Sequence, residues 1–137
     1  KQLIVVTSAK GTLFTQQTAQ TWSTQLERLV FICGHYEGID ERVAHYLADQ
    51  EIRIGNFVLT GGELAAAVMT DAVARLLPGV LGDDESSKDE SFSSEHTLEY
   101  PQYTRPESYS GWEVPKVLLQ GNHKLIEGWK KEQQTTV

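Results

Sequence analysis

The hydrophobic pattern of the chain alternates between strand-like runs and helix-like segments. Continuous apolar, β-branched runs predict strands over 1–6, 29–33 and 51–54. Apolar residues at near-helical spacing predict helices over 14–26 and after Asp40. An Ala- and Leu-rich segment predicts a further helix over 63–77, which Pro78 and Gly79 end. Strands that alternate with helices in this way predict an α/β fold, with a parallel sheet and helices packed on its faces.

The sequence also predicts loops, caps and buried positions within these elements. The polar run 7–12 follows the first strand and predicts a loop. The second strand is apolar throughout, which is typical of a strand covered on both faces, and predicts a buried thiol at its last residue, Cys33. Asp40 is a candidate N-cap, and the helix after it would bury a stripe of Val43, Tyr46 and Leu47.

The character of the chain changes after residue 82. Segment 83–99 is rich in serine and acidic residues and predicts a flexible linker. Two prolines favour an extended path over 100–106, continued by 112–115, and a helix is predicted over 123–133. The predicted organisation is therefore a sheet domain over 1–82, the linker, and a short helical segment within 100–137.

The distribution of charge along the chain indicates which class of partner it could bind. The formal net charge of −7 argues against nucleic-acid binding, because phosphate contacts require Lys and Arg. However, residues 83–97 alone hold a net −5, with six acids against Lys88. A local basic face therefore remains open for the residues that follow, namely Arg105, Lys116, His123, Lys124, Lys130 and Lys131.

Composition also limits the compartment and the chemistry. A single cysteine excludes an internal disulfide and a cysteine-based zinc cage, and fits a reducing compartment. No apolar run reaches membrane-spanning length, and the first residues lack the apolar core of a signal peptide. We therefore expect a cytoplasmic protein without a membrane segment.

Two glycine-containing loops, 34–43 and 54–64, each follow a predicted strand and open a predicted helix. Glycine at such turns allows a ligand to approach the backbone and its N–H groups. Dinucleotide-binding, phosphate-loop, zinc-ligand and serine-hydrolase motifs are absent from the sequence. From the residues alone, the two loops fit either a ligand site or plain tight turns.

Long stretches of the chain resemble the bacterial tRNA (guanine-N1)-methyltransferase family, which belongs to the knotted class of S-adenosylmethionine-dependent RNA methyltransferases. The similar stretches are 34–43, 54–64, 71–82, 100–107 and 117–124. The resemblance implies a deep trefoil knot and three loops around S-adenosylmethionine, at 7–11, at Gly34 and at 54–62. The implied cofactor-binding residues are Ser8, Gly34, Ile54, Gly55, Asn56, Phe57, Val58, Leu59, Gly61 and Gly62. No metal ligands are implied, and participation of Mg²⁺ remains open without support from the sequence.

The resemblance also implies catalytic residues. Guanine N1 carries a proton, so a carboxylate is needed to remove it and a guanidinium near O6 can stabilise the resulting charge. The family uses an arginine and an aspartate, which match Arg75 and, with a change of residue, Glu90. Asp89 is the alternative base. Without the resemblance, both acids read as part of a solvated linker and Arg75 as the partner of Asp71 in an i,i+4 ion pair.

The implied reaction is methylation of guanine N1 at the nucleoside immediately 3′ of the tRNA anticodon. The family forms homodimers in which the linker of one subunit supplies the base to the cofactor site of the other. Its catalytic domain begins before, and its C-terminal domain continues beyond, the stretch matched here, so we expect a middle portion of such a protein.

Alternatives to an active enzyme remain open. One is a truncated or degenerate relative that binds the cofactor or dimerises without catalysis. Another is an RNA-binding adaptor that uses the region 100–131. In that region Tyr103, Arg105 and Trp112 could contact RNA by stacking and phosphate pairing, or could pack the segment onto the body of the protein.

Overall fold

A computed structural model of the protein describes residues 1–81, 91–92 and 97–136. The chain forms two compact units, Lys1–Asp84 and Glu85–Val137. In chain order the first unit contains β1 (Gln2–Leu13), α1 (Gln16–Gln25), β2 (Arg28–Cys33), α2 (Glu41–Tyr46), β3 (Gln50–Arg53) and α3 (Glu63–Ala74).

The three strands of the first unit form one parallel sheet in the order β2-β1-β3. The predicted strands and the parallel α/β arrangement are therefore confirmed for the described residues. Because β1 is central, the chain adds β2 on one side of it and β3 on the other. The direction in which strands are added reverses at β1, which makes its carboxyl end a topological switch point.

The first strand is longer than the sequence predicts. The loop expected at 7–12 is wrong, since β1 continues to Leu13. Both Thr7 and Thr12 are aligned with Ile52 of β3, so the residues between them form an irregularity in the ladder rather than a break. Gly11 is buried there, and a Cβ at this position would overlap the backbone of Glu51, so glycine allows the two strands to approach closely.

Helices α1 and α3 pack together, and their apolar residues complete the core with the sheet. Thr15 caps α1, its hydroxyl accepting from the Thr18 N–H at 3.3 Å. Full burial of an apolar side chain stabilises the fold by about 1.5–3 kcal/mol. The core cluster consists of Leu3, Val5, Trp22, Ile52, Ala65 and Met69.

Two burial predictions are wrong. None of β2 is fully buried, because β2 lies at an edge of the sheet, and Val30 is 36% exposed and Cys33 half-buried. The stripe expected on α2 is also missing. Asp40 does cap this helix, accepting from the Arg42 N–H at 2.9 Å, but Tyr46 and Leu47 are exposed.

The second unit contains short strands and two helices, β4 (Thr97–Leu98), β5 (Ser108–Tyr109), β6 (Trp112–Glu113), α4 (Lys116–Leu119), α5 (His123–Gln133) and β7 (Thr135–Thr136). The prediction of a helix over 123–133 is confirmed. The expected continuous extended path is wrong, because Ser110 and Gly111, at φ 52° and 85°, turn the chain into the β5–β6 hairpin. β4 pairs with β7, so residues of the expected linker join this unit.

Candidate functional site

A cavity of about 500 Å³ opens at the carboxyl ends of the three parallel strands. Its wall includes residues of β1, the turn after β2 and the loop after β3. This is the switch point of the sheet, where open α/β folds bind their ligands because the loops diverge there and leave a crevice. The volume lies in the range of small-molecule sites.

The residues predicted to hold a cofactor converge on this cavity, with one exception. Those that line it are Ser8, Gly34, Ile54, Gly55, Phe57, Val58, Leu59, Gly61 and Gly62. Asn56 is not among the lining residues, and its side-chain oxygen accepts a hydrogen bond from Arg53 Nε at 3.2 Å. Asn56 is therefore placed to orient Arg53, which does line the cavity.

Backbone contacts hold the two glycine loops together. The Gly62 N–H donates to the Gly34 carbonyl at 3.0 Å, and His35 forms an isolated antiparallel bridge with Gly61. A Cβ at Gly62 would overlap the Thr7 hydroxyl and lie 3.1 Å from the Cys33 Cα. Glycine at this position therefore lets the second loop pack directly against the ends of β1 and β2.

The wall of the cavity is more acidic than basic. Its carboxylates are Glu37, Asp40, Glu41 and Glu51, and its cationic side chains are Lys10 and Arg53, together with the imidazole of His35. The Lys10 ammonium pairs with Glu41, and this hydrogen bond raises the pKa of Lys10 and lowers the pKa of Glu41. The acidic excess favours a ligand that carries positive charge.

Apolar side chains rim the same opening. Phe57, Val58 and Leu59 are 55%, 84% and 37% exposed, although all three contribute to the lining. A ring system and an aliphatic segment can pack on these groups, while the backbone N–H groups of the glycine loops offer donors to polar atoms. The site thus combines apolar surface, donors and acidic charge.

Of the candidate catalytic residues, the structure describes only Arg75, and it is not at this cavity. Arg75 is the half-buried C-cap residue of α3 and does not line the cavity. Since Glu63 begins the helix at the cavity side, the 12 residues of α3 separate Arg75 from it by about 18 Å. Glu90 and its alternative, Asp89, lie outside the described residues. The ion pair between Arg75 and Asp71 stays a prediction.

Sequence reasoning missed several lining residues. Lys10 lies in the implied cofactor loop 7–11 and Arg53 in the predicted third strand. Neither is among the predicted site residues, yet both line the cavity. The Arg53 guanidinium also donates to the Gly11 carbonyl, which ties β3 to the irregular part of β1. The positions of Lys10 and Arg53 in the wall follow from the length of β1 and from the strand order at the switch point, and no spacing of residues in the sequence predicts them.

The second unit carries the aromatic residues considered for RNA contact. Tyr103 is 45% exposed and lies 6.2 Å from Trp129 between ring centroids, whereas Trp112 is 74% exposed and lies 6.2 Å from Tyr109. Lys130 stands 4.6 Å from the centroid of the Tyr100 ring, and hydrogen bonding from Lys130 and then Gln102 lowers the pKa of Tyr100. Contact with Trp129 accounts in part for the position of Tyr103, whereas the largely exposed Trp112 ring is available for stacking on a base.

The described residues contain neither a metal-binding cluster nor a helix able to span a membrane. Over 1–81, 91–92 and 97–136, no three His, Cys, Asp or Glu side chains cluster as a metal site. Within the same ranges, every helix is too short or too polar to cross a membrane.

Comparisons with known proteins bear on the whole chain. The sequence profile of the family described as tRNA (Guanine-1)-methyltransferase TrmD matches residues 1–137. A tRNA (guanine-N(1)-)-methyltransferase of Carboxydothermus hydrogenoformans is 58% identical over 129 residues, which are 94% of this chain and 50% of that protein. The corresponding protein of Desulfitobacterium hafniense is 56% identical over 97% of this chain and 50% of its own length.

A third relative, from Staphylococcus carnosus, is 53% identical over 96% of this chain and 53% of its own length. The chain thus spans about half the length of the curated relatives it matches. The profile match extends over every residue, and the identities are high over almost the whole chain. On this evidence the chain belongs to the tRNA (guanine-1)-methyltransferase family.

Proposed function

We propose that this chain forms the S-adenosylmethionine-binding part of an enzyme that methylates guanine N1 in tRNA. The observation that carries the proposal is the cavity at the switch point, which gathers every predicted cofactor residue except Asn56. Membership of the family supports the reaction class, and the printed name of the relatives supports guanine N1 of tRNA as the target.

The residues of the cavity fit this cofactor. S-Adenosylmethionine has a sulfonium and an ammonium group, and the carboxylates of Glu37 and Glu51 suit that positive charge. Phe57 and Leu59 offer apolar surface to an adenine ring, and the glycine loops offer backbone donors. When bound, the cofactor supplies an electrophilic methyl group, whose transfer depends mainly on alignment with the nucleophile.

Residues of this chain would then accept the N1 proton of guanine and stabilise the negative charge that develops on its O6 atom. We assign Glu90 as the base that removes the N1 proton, with Asp89 as the alternative, and Arg75 as the cation that stabilises charge at O6. Because Arg75 lies about 18 Å along α3 from the cavity side, we assign it to a site completed by a second copy of the chain. Such a homodimer, a trefoil knot and a target 3′ of the anticodon all belong to this proposal.

A second candidate is a relative that binds the cofactor without catalysing transfer. Two observations favour it: Arg75 is remote from the cavity within one chain, and the base position holds glutamate where the family has aspartate. A glutamate is one methylene longer, so it must fold back to bring its carboxylate to the same point. This candidate predicts cofactor binding without turnover.

A methyl-transfer assay with tRNA distinguishes the two candidates. The chain is incubated with S-adenosylmethionine and tRNA, and the modified nucleoside is located by mass spectrometry. We expect N1-methylguanosine from the wild type, a loss of about 100-fold or more in Glu90→Gln, and a small change in Asp89→Asn, the matched control. Cofactor binding without any product would instead support the non-catalytic candidate.

A further inference from the structure

A hydrogen-bonded side-chain pair, His35 and Glu63, connects the two ligand loops at the wall of the cavity. His35 Nε2 lies 2.6 Å from Glu63 Oε1, and the two side chains are 53% and 57% exposed. His35 belongs to the turn after β2, whereas Glu63 is the first residue of α3 and follows the loop after β3. The pair therefore joins segments that are separate in sequence.

The two side chains lie directly over a glycine. A Cβ at Gly61 would overlap the Glu63 carboxylate and would lie 2.7 Å from the His35 Cε1 atom. Beneath the pair, His35 bridges to Gly61 and the Gly62 N–H donates to the Gly34 carbonyl at 3.0 Å. The ion pair thus closes over a short antiparallel contact between the two loops.

Both halves of this contact belong to the wall of the cavity, since 34–39 and 60–62 line it. We infer that His35 and Glu63 act as a positioning clasp, which holds the two loops at a fixed separation and so strengthens ligand binding. The ligand identity rests on the proposed function, whereas the coupling of the loops does not.

Breaking this pair is expected to change the local opening of the loops rather than the global stability. Exposed ion pairs contribute little to global stability, because both partners stay hydrated and screened. A pair that spans two loops can still slow their separation, since local opening breaks only a few contacts. The His45–Glu41 pair, at 3.4 Å within α2, is comparably exposed but joins residues of a single helix. It provides a matched control.

Amide hydrogen exchange of Gly62, measured by NMR, tests the clasp directly. The variants are His35→Phe, which keeps a ring but removes the donor, Glu63→Ala, and the double variant. His35→Gln retains a donor near the position of Nε2, and His45→Phe is the control. Binding of S-adenosylhomocysteine, the demethylated product, is measured for each variant by calorimetry.

We expect Gly62 exchange to be about two- to fivefold faster in each single variant, the scale of an exposed ion pair. The double variant should exchange no faster than Glu63→Ala alone, because the shared interaction is lost only once. His35→Gln and His45→Phe should resemble the wild type. Affinity for the product should fall in parallel with the faster exchange.

Additive effects in the double variant, or unchanged Gly62 exchange in His35→Phe, would overturn the clasp. Faster, non-additive exchange with unchanged product affinity would overturn its role in binding. If the wild type binds no product while the exchange coupling is present, the proposed function fails and the coupling of the loops stands.

Discussion

At the scale of single residues, the glycines at the site are set by close packing. Gly62 packs against Thr7 and Cys33, and Gly11 packs against the backbone of Glu51. Neither has a positive φ, so each is required by the space around it rather than by its backbone conformation. Close approach of β1, β3 and the second loop depends on these two positions.

Substituting Gly62 by alanine should destabilise the first unit. The added methyl group would overlap the Thr7 hydroxyl, and overpacking of this kind costs about 1–3 kcal/mol. Urea unfolding monitored by circular dichroism measures the change. Gly128→Ala is the control, because open space surrounds Gly128 in α5 and alanine should stabilise a helix by about 0.5–1 kcal/mol. Equal stabilities of both variants would contradict the packing assigned to Gly62.

The cap of α2 should respond to acid. Hydrogen bonds from the Arg42 side chain and backbone lower the pKa of the Asp40 carboxyl. A carboxyl with a lowered folded-state pKa stabilises the helix above its unfolded-state pKa of about 3.9, and this contribution is lost as pH falls through the folded value. We expect the Arg42 amide resonance to report loss of the cap only below about pH 4. In Asp40→Asn, which caps without titrating, this transition should vanish.

At the scale of secondary-structure elements, the helical spacing of apolar residues predicts α1 and α5, whereas α3 is predicted by its Ala- and Leu-rich composition and the Pro78-Gly79 stop that follows. The extent of β1 could not be predicted, since its second half is polar and half-exposed and joins the sheet only through pairing with β3. The predicted buried stripe on α2 is wrong for a related reason. Spacing marks an apolar face, but burial requires a partner surface, and Tyr46 and Leu47 meet none among the described residues.

The core face of α3 can be tested by truncation. Met69 is fully buried, whereas the preceding residue, Val68, is 50% exposed. Met69→Ala should lower the free energy of unfolding by about 2–5 kcal/mol, because it leaves a cavity between the helix and the sheet. Val68→Ala should change it by about 0.5 kcal/mol or less. Thermal unfolding of both variants measures the difference, and similar losses would mean that α3 packs on another face.

At the scale of the whole molecule, strand order explains why the cavity forms where it does. Three segments that are distant in sequence meet at the carboxyl end of β1 because β2 and β3 lie on opposite sides of it. The sequence singles out the two glycine loops that line the cavity, but it does not predict the acidic wall, which is formed by Glu37, Asp40 and Glu41 after β2 and by Glu51 in β3. The role proposed for Arg75 depends on a second chain, which no pattern in one sequence predicts.

If the active site is shared between two chains, mixing two differently defective variants should recover methyl-transfer activity. If the base and Arg75 act at the cofactor cavity of the partner chain, mixing Glu90→Gln with Gly55→Trp, whose added ring blocks the cavity, should restore activity, because every mixed dimer then has one site with an open cavity and an intact base. Random pairing of equal amounts gives about half mixed dimers, so a quarter of wild-type activity is the expected ceiling. Methyl transfer to tRNA measures it. No recovery, with each variant alone still dimeric, would contradict the shared site.

The central claim is that the cavity at the switch point binds S-adenosylmethionine. Calorimetric titration of the chain with this cofactor tests it, together with Gly55→Trp, which would fill the cavity, and Gly128→Trp, which adds the same bulk in α5. We predict binding by the wild type and by Gly128→Trp, and no binding by a folded Gly55→Trp. Equal binding by all three, or no binding by the folded wild type, would contradict the claim.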